Sequence, residues 1–80
     1  MYKNKAEGGC NNIVGKRVRE FRERMPGVSQ REFAILLGVH GVTLDKNAIQ
    51  RIESGQRFVT DIELKAIAKV LNVSYEQLLD

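Results

Sequence analysis

The sequence predicts an all-α protein of five helices, on three observations. One pattern is written three times, as VSQREF (28–33), VTDIEL (59–64) and VSYEQL (73–78). Between those starts, apolar residues recur at the spacing of one helix face. Nowhere do apolar and polar residues alternate over the roughly four to eight positions that a half-buried strand needs.

The repeated pattern runs Val, Ser or Thr, two residues, Glu or Gln, then an apolar residue. At a helix start the hydroxyl at the N-cap accepts from the N3 amide, and the N3 side chain reaches back to the N-cap amide. The preceding valine then packs on the apolar residue at N4. Three such capping boxes with staples place helix starts at Gln30, Asp61 and Tyr75.

The other elements follow in chain order. MYKNKAEGGCNN has almost no apolar content and carries a Gly pair, so residues 1–11 are expected to be a disordered arm. Asn12 is an N-cap candidate. Val14, Val18, Phe21 and Met25 then recur at helical spacing until Pro26 and Gly27 end the run, which predicts helix one over 13–24. Helix two starts at Gln30 with Phe33, Ala34 and Leu37 on its inner face, and could stop at Gly38 or run on to Gly41.

Leu44 and Asp45 followed by Ile49 repeat the staple without the box, which starts helix three near Lys46 and lets Gly55 end it. Helix four carries Ile62, Leu64, Ala66, Ile67, Ala68, Val70 and Leu71, apolar nearly all round. With Lys65 and Lys69 on one exposed stripe, it is expected to be the central buried helix. Asn72 suits a left-handed position before the short helix five.

Eighty residues form one domain at most, here 12–80 after the arm. A chain of this size buries only about 60–65% of the surface that its unfolded form exposes. A net charge of +3 favours an anionic partner. Cys10 and His40 are the only residues of their types, so neither an internal disulfide nor a zinc site can be built from them. Cys10 reads as a spectator thiol in the arm, and His40 as a packing or helix-end residue. No apolar run approaches the roughly 20 residues that cross a bilayer, and no signal peptide is evident, so a cytoplasmic location is expected.

Two short helices joined by a turn, SQREFAILLGV and DKNAIQRIESG, are the ingredients of a helix-turn-helix. GKRVREFR, SQREFA, IQRIESGQR and IAKVLNVSYEQLL stand around them in a specific order and spacing. On these motifs, residues 15–79 resemble the phage repressor/Cro-type helix-turn-helix domain. The resemblance implies a compact five-helix module that binds double-stranded DNA in a bacterial or phage setting. The chain departs from the family at GVHGVTL, about five residues more than the family's tight turn, so helix two is longer or the turn is a loop. Met25-Pro26 adds about one residue between helices one and two.

In that family helix three enters the major groove and its first turns meet base edges. Ile49 and Ile52 point inward, which leaves Lys46, Asn47, Gln50 and Arg51 on the outer side. Lysine and arginine donate to guanine O6 and N7, and asparagine or glutamine bonds adenine through two hydrogen bonds, so these four are the candidate base readers. The resemblance also implies that Gln30 contacts phosphate at the start of helix two. Arg17, on a helix one rich in basic residues, and Arg57 are further phosphate candidates. Arg22 and Glu53 match the pair in which an arginine of helix one meets a glutamate of helix three, a structural ion pair that fixes the reading helix.

The implied function is sequence-specific binding of double-stranded DNA by a transcriptional regulator, as a homodimer that could form only on DNA. The alternative is a protein-interaction module such as an antitoxin-like subunit. An exposed apolar patch of Tyr75, Leu78 and Leu79 would favour that, or simply a homodimer. An enzyme fits poorly, because the sequence offers no nucleophile–base set, metal-ligand cluster, cofactor motif or evident small-molecule site.

Overall fold

In a computed structural model of the protein, which describes residues 11–79, the chain forms α1 (Gly15–Glu23), α2 (Gln30–Val39), α3 (Lys46–Glu53), α4 (Asp61–Leu71) and α5 (Tyr75–Leu79). No strand occurs among the described residues, and no helix there is long and apolar enough to cross a membrane. α1 packs on α3, α4 and α5, while α2 packs on α3 and α4. The core between them is built on Val18, Phe33, Leu37, Ile49, Ile67 and Leu78, each fully buried.

Helices α2 to α5 begin where the caps in the sequence place them. Thr60 and Glu63 form both halves of a capping box, at 3.2 and 3.0 Å, and Ser74 and Gln77 do the same at 3.2 and 2.8 Å. Ser29 supplies the hydroxyl half alone, accepting from the Glu32 amide at 3.2 Å. Asp45 caps α3 by accepting from the Ala48 amide at 2.8 Å.

The helix ends are equally defined. Gly41 (φ 84°) and Gly55 (φ 82°) sit in the left-handed region that a β-carbon disfavours, and Asn72 occupies it at φ 56°. Behind them the amides of Val42, Gln56 and Val73 donate back to the carbonyls of Leu37, Arg51 and Ala68, at 2.8–3.0 Å. Each bond spans five residues and closes the last turn of its helix in the manner of a left-handed C-terminal cap.

That geometry decides the long turn. α2 stops at Val39, His40 is its exposed C-cap, and the chain runs on to Asp45 as a loop. Val42 enters the core from the middle of that loop, so the segment is pinned at both ends and at its centre.

Other expectations need correction. α1 begins at Gly15 and ends at Glu23, inside the predicted 13–24. Val14, and not Asn12, is the N-cap position; residues 13–14 form a bend, across which Asn12 still accepts from the first amide of α1, that of Gly15, at 2.8 Å. Ile62 is 71% exposed, so α4 is not apolar all round. It stands three and seven residues before Lys65 and Lys69 and falls on their stripe, while Ala66, Ile67, Ala68 and Leu71 form the buried side. Leu78 is fully buried, which leaves Tyr75 and Leu79 as the exposed apolar residues of α5. The expected arm, with Cys10, lies outside the described residues except for Asn11, whose amide donates to the Gly55 carbonyl at 2.6 Å.

Candidate nucleic-acid interface

Helix α3 is short, amphipathic and held from both ends. Ile49 and Ile52 are completely buried, and Lys46, Asn47, Gln50 and Arg51 are all exposed. At about 100° per residue, those four cover an arc of roughly 140° whose centre lies opposite the two isoleucines. The structure therefore brings the four base-reading candidates onto one face of one helix. Among the described residues, none of them is drawn into an ion pair within the chain.

The orientation of that face is set by Glu53, at the last turn of α3. Its two carboxylate oxygens accept from Arg22 Nε at 2.6 Å and Arg22 Nη2 at 3.1 Å. Arg22 Nη1 also donates to the Val28 carbonyl at 3.0 Å, and Gln30 Nε2 donates to Glu53 at 3.1 Å. One carboxylate thus ties α3 to α1 and to the first residue of α2, and Arg22 carries the link on to the loop before α2. The hydrogen bond to Glu53 holds the Arg22 guanidinium more firmly protonated than usual, against the opposing effect of burial. A two-pronged guanidinium–carboxylate contact fixes direction as well as distance.

The phosphate candidates have different surroundings. Gln30 is half-buried and engaged with Glu53, so it belongs to the network that orients α3. Arg57 meets Glu63 through two bonds, at 2.8 and 2.9 Å, and donates to the Phe58 carbonyl at 3.0 Å. The bond from Arg57 holds the Glu63 carboxyl below the usual glutamate range, and the same contact raises Arg57. Arg17 stands exposed on α1, the helix packed against α3.

Two relationships escape a reading of the sequence. Glu63 is legible as half of a capping box, and its second partner, Arg57, lies before the box, where no helix spacing announces it. Asn12 is legible as an acceptor at a helix start, yet its amide also donates to the carbonyls of Ile52 and Arg57, at 3.1 and 2.7 Å. The only signal for that contact is Gly15. A β-carbon there would fall 2.1 Å from the Ile52 carbonyl oxygen, so the start of α1 and the end of α3 must nearly touch.

Comparison with known proteins agrees with this architecture. A family described as helix-turn-helix matches residues 18–78. The crystal structure of the restriction-modification controller protein C.AhdI from Aeromonas hydrophila is similar, with a TM-score of 0.69 and 32% identity. That match covers 82% of this chain and 91% of the other. No curated protein matches the chain. The order of the helices, the exposed face of α3 and the family match over residues 18–78 lead to one conclusion: the chain belongs to the helix-turn-helix family of DNA-binding transcriptional regulators.

Proposed function

We propose that this protein binds double-stranded DNA sequence-specifically, with α3 in the major groove and Lys46, Asn47, Gln50 and Arg51 meeting base edges. The observation that carries the reading is that exposed arc of four hydrogen-bonding side chains, set opposite two fully buried isoleucines. The head groups suit the groove's donor and acceptor code. A helix whose backbone is already fixed loses little freedom on docking, which supports specific contact over loose adhesion.

Phosphate contacts hold the register. The Gln30 amide has a second N–H beyond the one donated to Glu53, and it lies at the first turn of α2, where the helix dipole favours an anion. Arg57 keeps N–H groups that are not used by Glu63 and Phe58, and Arg17 adds a cation on α1. The likeness to a restriction-modification controller protein supports a regulatory role. In this reading the protein acts in the cytoplasm and binds as a homodimer, because one short helix offers little surface for tight specific binding.

A second reading is favoured by Ile62, Tyr75 and Leu79, apolar side chains exposed on α4 and α5. They suit an interface with protein, either a second copy or the partner of an antitoxin-like subunit. Selection from a random duplex pool with the purified chain separates the readings. An enriched motif supports DNA reading, and its symmetry gives the oligomer. A pool without enrichment overturns sequence-specific binding and leaves the protein-interaction reading.

A further inference from the structure

We infer that Asn12 is a positioning residue for the reading helix, clamping the end of α3 to the start of α1. The inference rests on the proposed role of α3 in DNA reading. Asn12 uses its amide group from both sides. Its Oδ1 accepts from the Gly15 amide at 2.8 Å, and its Nδ2 donates to the Ile52 carbonyl at 3.1 Å and the Arg57 carbonyl at 2.7 Å. Ile52 carries one of the last carbonyls of α3, where it also accepts from the Gly55 amide at 3.1 Å, so Asn12 adds a contact from outside the helix to a carbonyl that closes its last turn. Asn11 extends the seam, its amide donating to the Gly55 carbonyl at 2.6 Å and its Nδ2 to the Gln56 carbonyl at 2.8 Å. Gly15 makes the approach possible, because no other residue leaves room for the Ile52 carbonyl.

The position of the seam matters for reading. Gln50 and Arg51 directly precede the clamped Ile52, and Arg57 is held through its own backbone. Arg22 and Gln30 fix α3 through the Glu53 side chain, whereas Asn12 fixes its backbone. Ile49 and Ile52 seat the inner side of α3 and Glu53 ties down one side chain, while the Asn12 contact anchors the backbone at its C-terminal end, which limits the play of Gln50 and Arg51 at a base edge. A serine could accept from the Gly15 amide but has no amide to span the two carbonyls, and an aspartate would set a charge against them.

The test compares wild type, Asn12→Ser and Asn12→Ala as full chains, at a temperature where circular dichroism shows each folded. Serine keeps a neutral acceptor for the Gly15 amide and removes only the clamp. Binding is titrated with salt on a duplex from the selected motif and on a scrambled one. In Asn12→Ser the preference for the selected duplex should fall by roughly threefold to tenfold, the scale of one or two hydrogen bonds. Affinity for the scrambled duplex should fall much less, because only the hold on the Arg57 backbone is shared by all duplexes, and the salt slope should not change because no charge is removed. Amide exchange should quicken at Gly55 and Gln56 while α1 stays protected, with α1 also affected in Asn12→Ala. An unchanged preference, or equal losses on both duplexes, overturns the clamp. A wild-type chain without any preference instead overturns the reading of α3 on which the clamp depends.

Discussion

Arg22 and Glu53 lie 31 residues apart in the chain and meet at 2.6 Å, with side chains only 11% and 3% exposed. So dry a pair has an asymmetric energy. Removing both partners leaves a small gap, whereas removing one strands a charge where water cannot reach it. Arg22→Ala and Glu53→Ala are each expected to destabilise the fold by about 3 kcal/mol. The double variant should cost less than their sum, as a denaturant double-mutant cycle reads. Additive effects would sink the coupling.

Arg57 and Glu63 give the fold a dependence on acid. Glu63 is held below its ordinary range, first by the bond from Arg57 and further by the Thr60 amide. A carboxylate with a depressed folded pKa contributes stability that is present above its unfolded pKa, about 4.3, and is lost as pH falls through the folded value. Melting temperature should therefore decline as pH drops below about 4.3. Glu63→Gln should be less stable at neutral pH and show a shallower decline. A variant whose acid limb parallels wild type would remove Glu63 from the account.

Two glycines, both in helices, should respond to alanine with opposite signs. At Gly15 the new methyl would meet the Ile52 carbonyl at 2.1 Å and the Asn12 side chain at 2.9 Å, so helices α1 and α3 must move apart. Overpacking of this kind costs about 1–3 kcal/mol. At Gly38, inside α2, nothing lies within 4 Å of the same atom. There alanine should stabilise by about 0.5–1 kcal/mol, through helix propensity alone. Thermal melts of the two variants check both signs at once.

These contrasts show which parts of the fold the sequence makes legible. Caps and αL residues are local, so four of the five helix starts and the left-handed Asn72 can be read from short strings. The exposed face of α3 is legible because Ile49 and Ile52 fix the opposite side. Ile62 misleads because its type says core, while its register with Lys65 and Lys69 says surface. Leu78 misleads in the other direction, because a helix of five residues is too short for periodicity to choose a face. Contacts such as Asn12 with Ile52 or Arg57 with Glu63 depend on how elements meet in space, and no interval in the chain encodes them.

Binding should follow the geometry of a two-fold assembly. The selected site is expected to be an inverted repeat whose half-site centres lie about one helical turn apart, roughly 34 Å. Sedimentation should give two chains per duplex even where the free chain is monomeric. A single asymmetric half-site bound by one chain overturns this expectation.

Reading and holding should separate under salt. Alanine at Lys46, Asn47 or Gln50 is expected to cost about 1–3 kcal/mol on the preferred duplex and to flatten discrimination at particular base pairs. The loop after α2 is pinned by Val42 and Asp45, which keeps Lys46 and Arg51 on the same exposed face, so Arg51→Ala should behave alike. Replacing Arg17 or Arg57 should instead weaken binding to every duplex, and lower the slope of log K against log salt by about one for each phosphate that is no longer neutralised. Arg57 is already paired with Glu63, so its removal also costs stability and must be measured where the variant remains folded. Gln30 carries no charge, and its removal should weaken binding with the slope almost intact. Each variant is titrated with salt on the preferred and on a scrambled duplex. If the α3 variants lose affinity equally on both, α3 is not the reader, and the exposed apolar side chains of α4 and α5 become the better guide to what this chain binds.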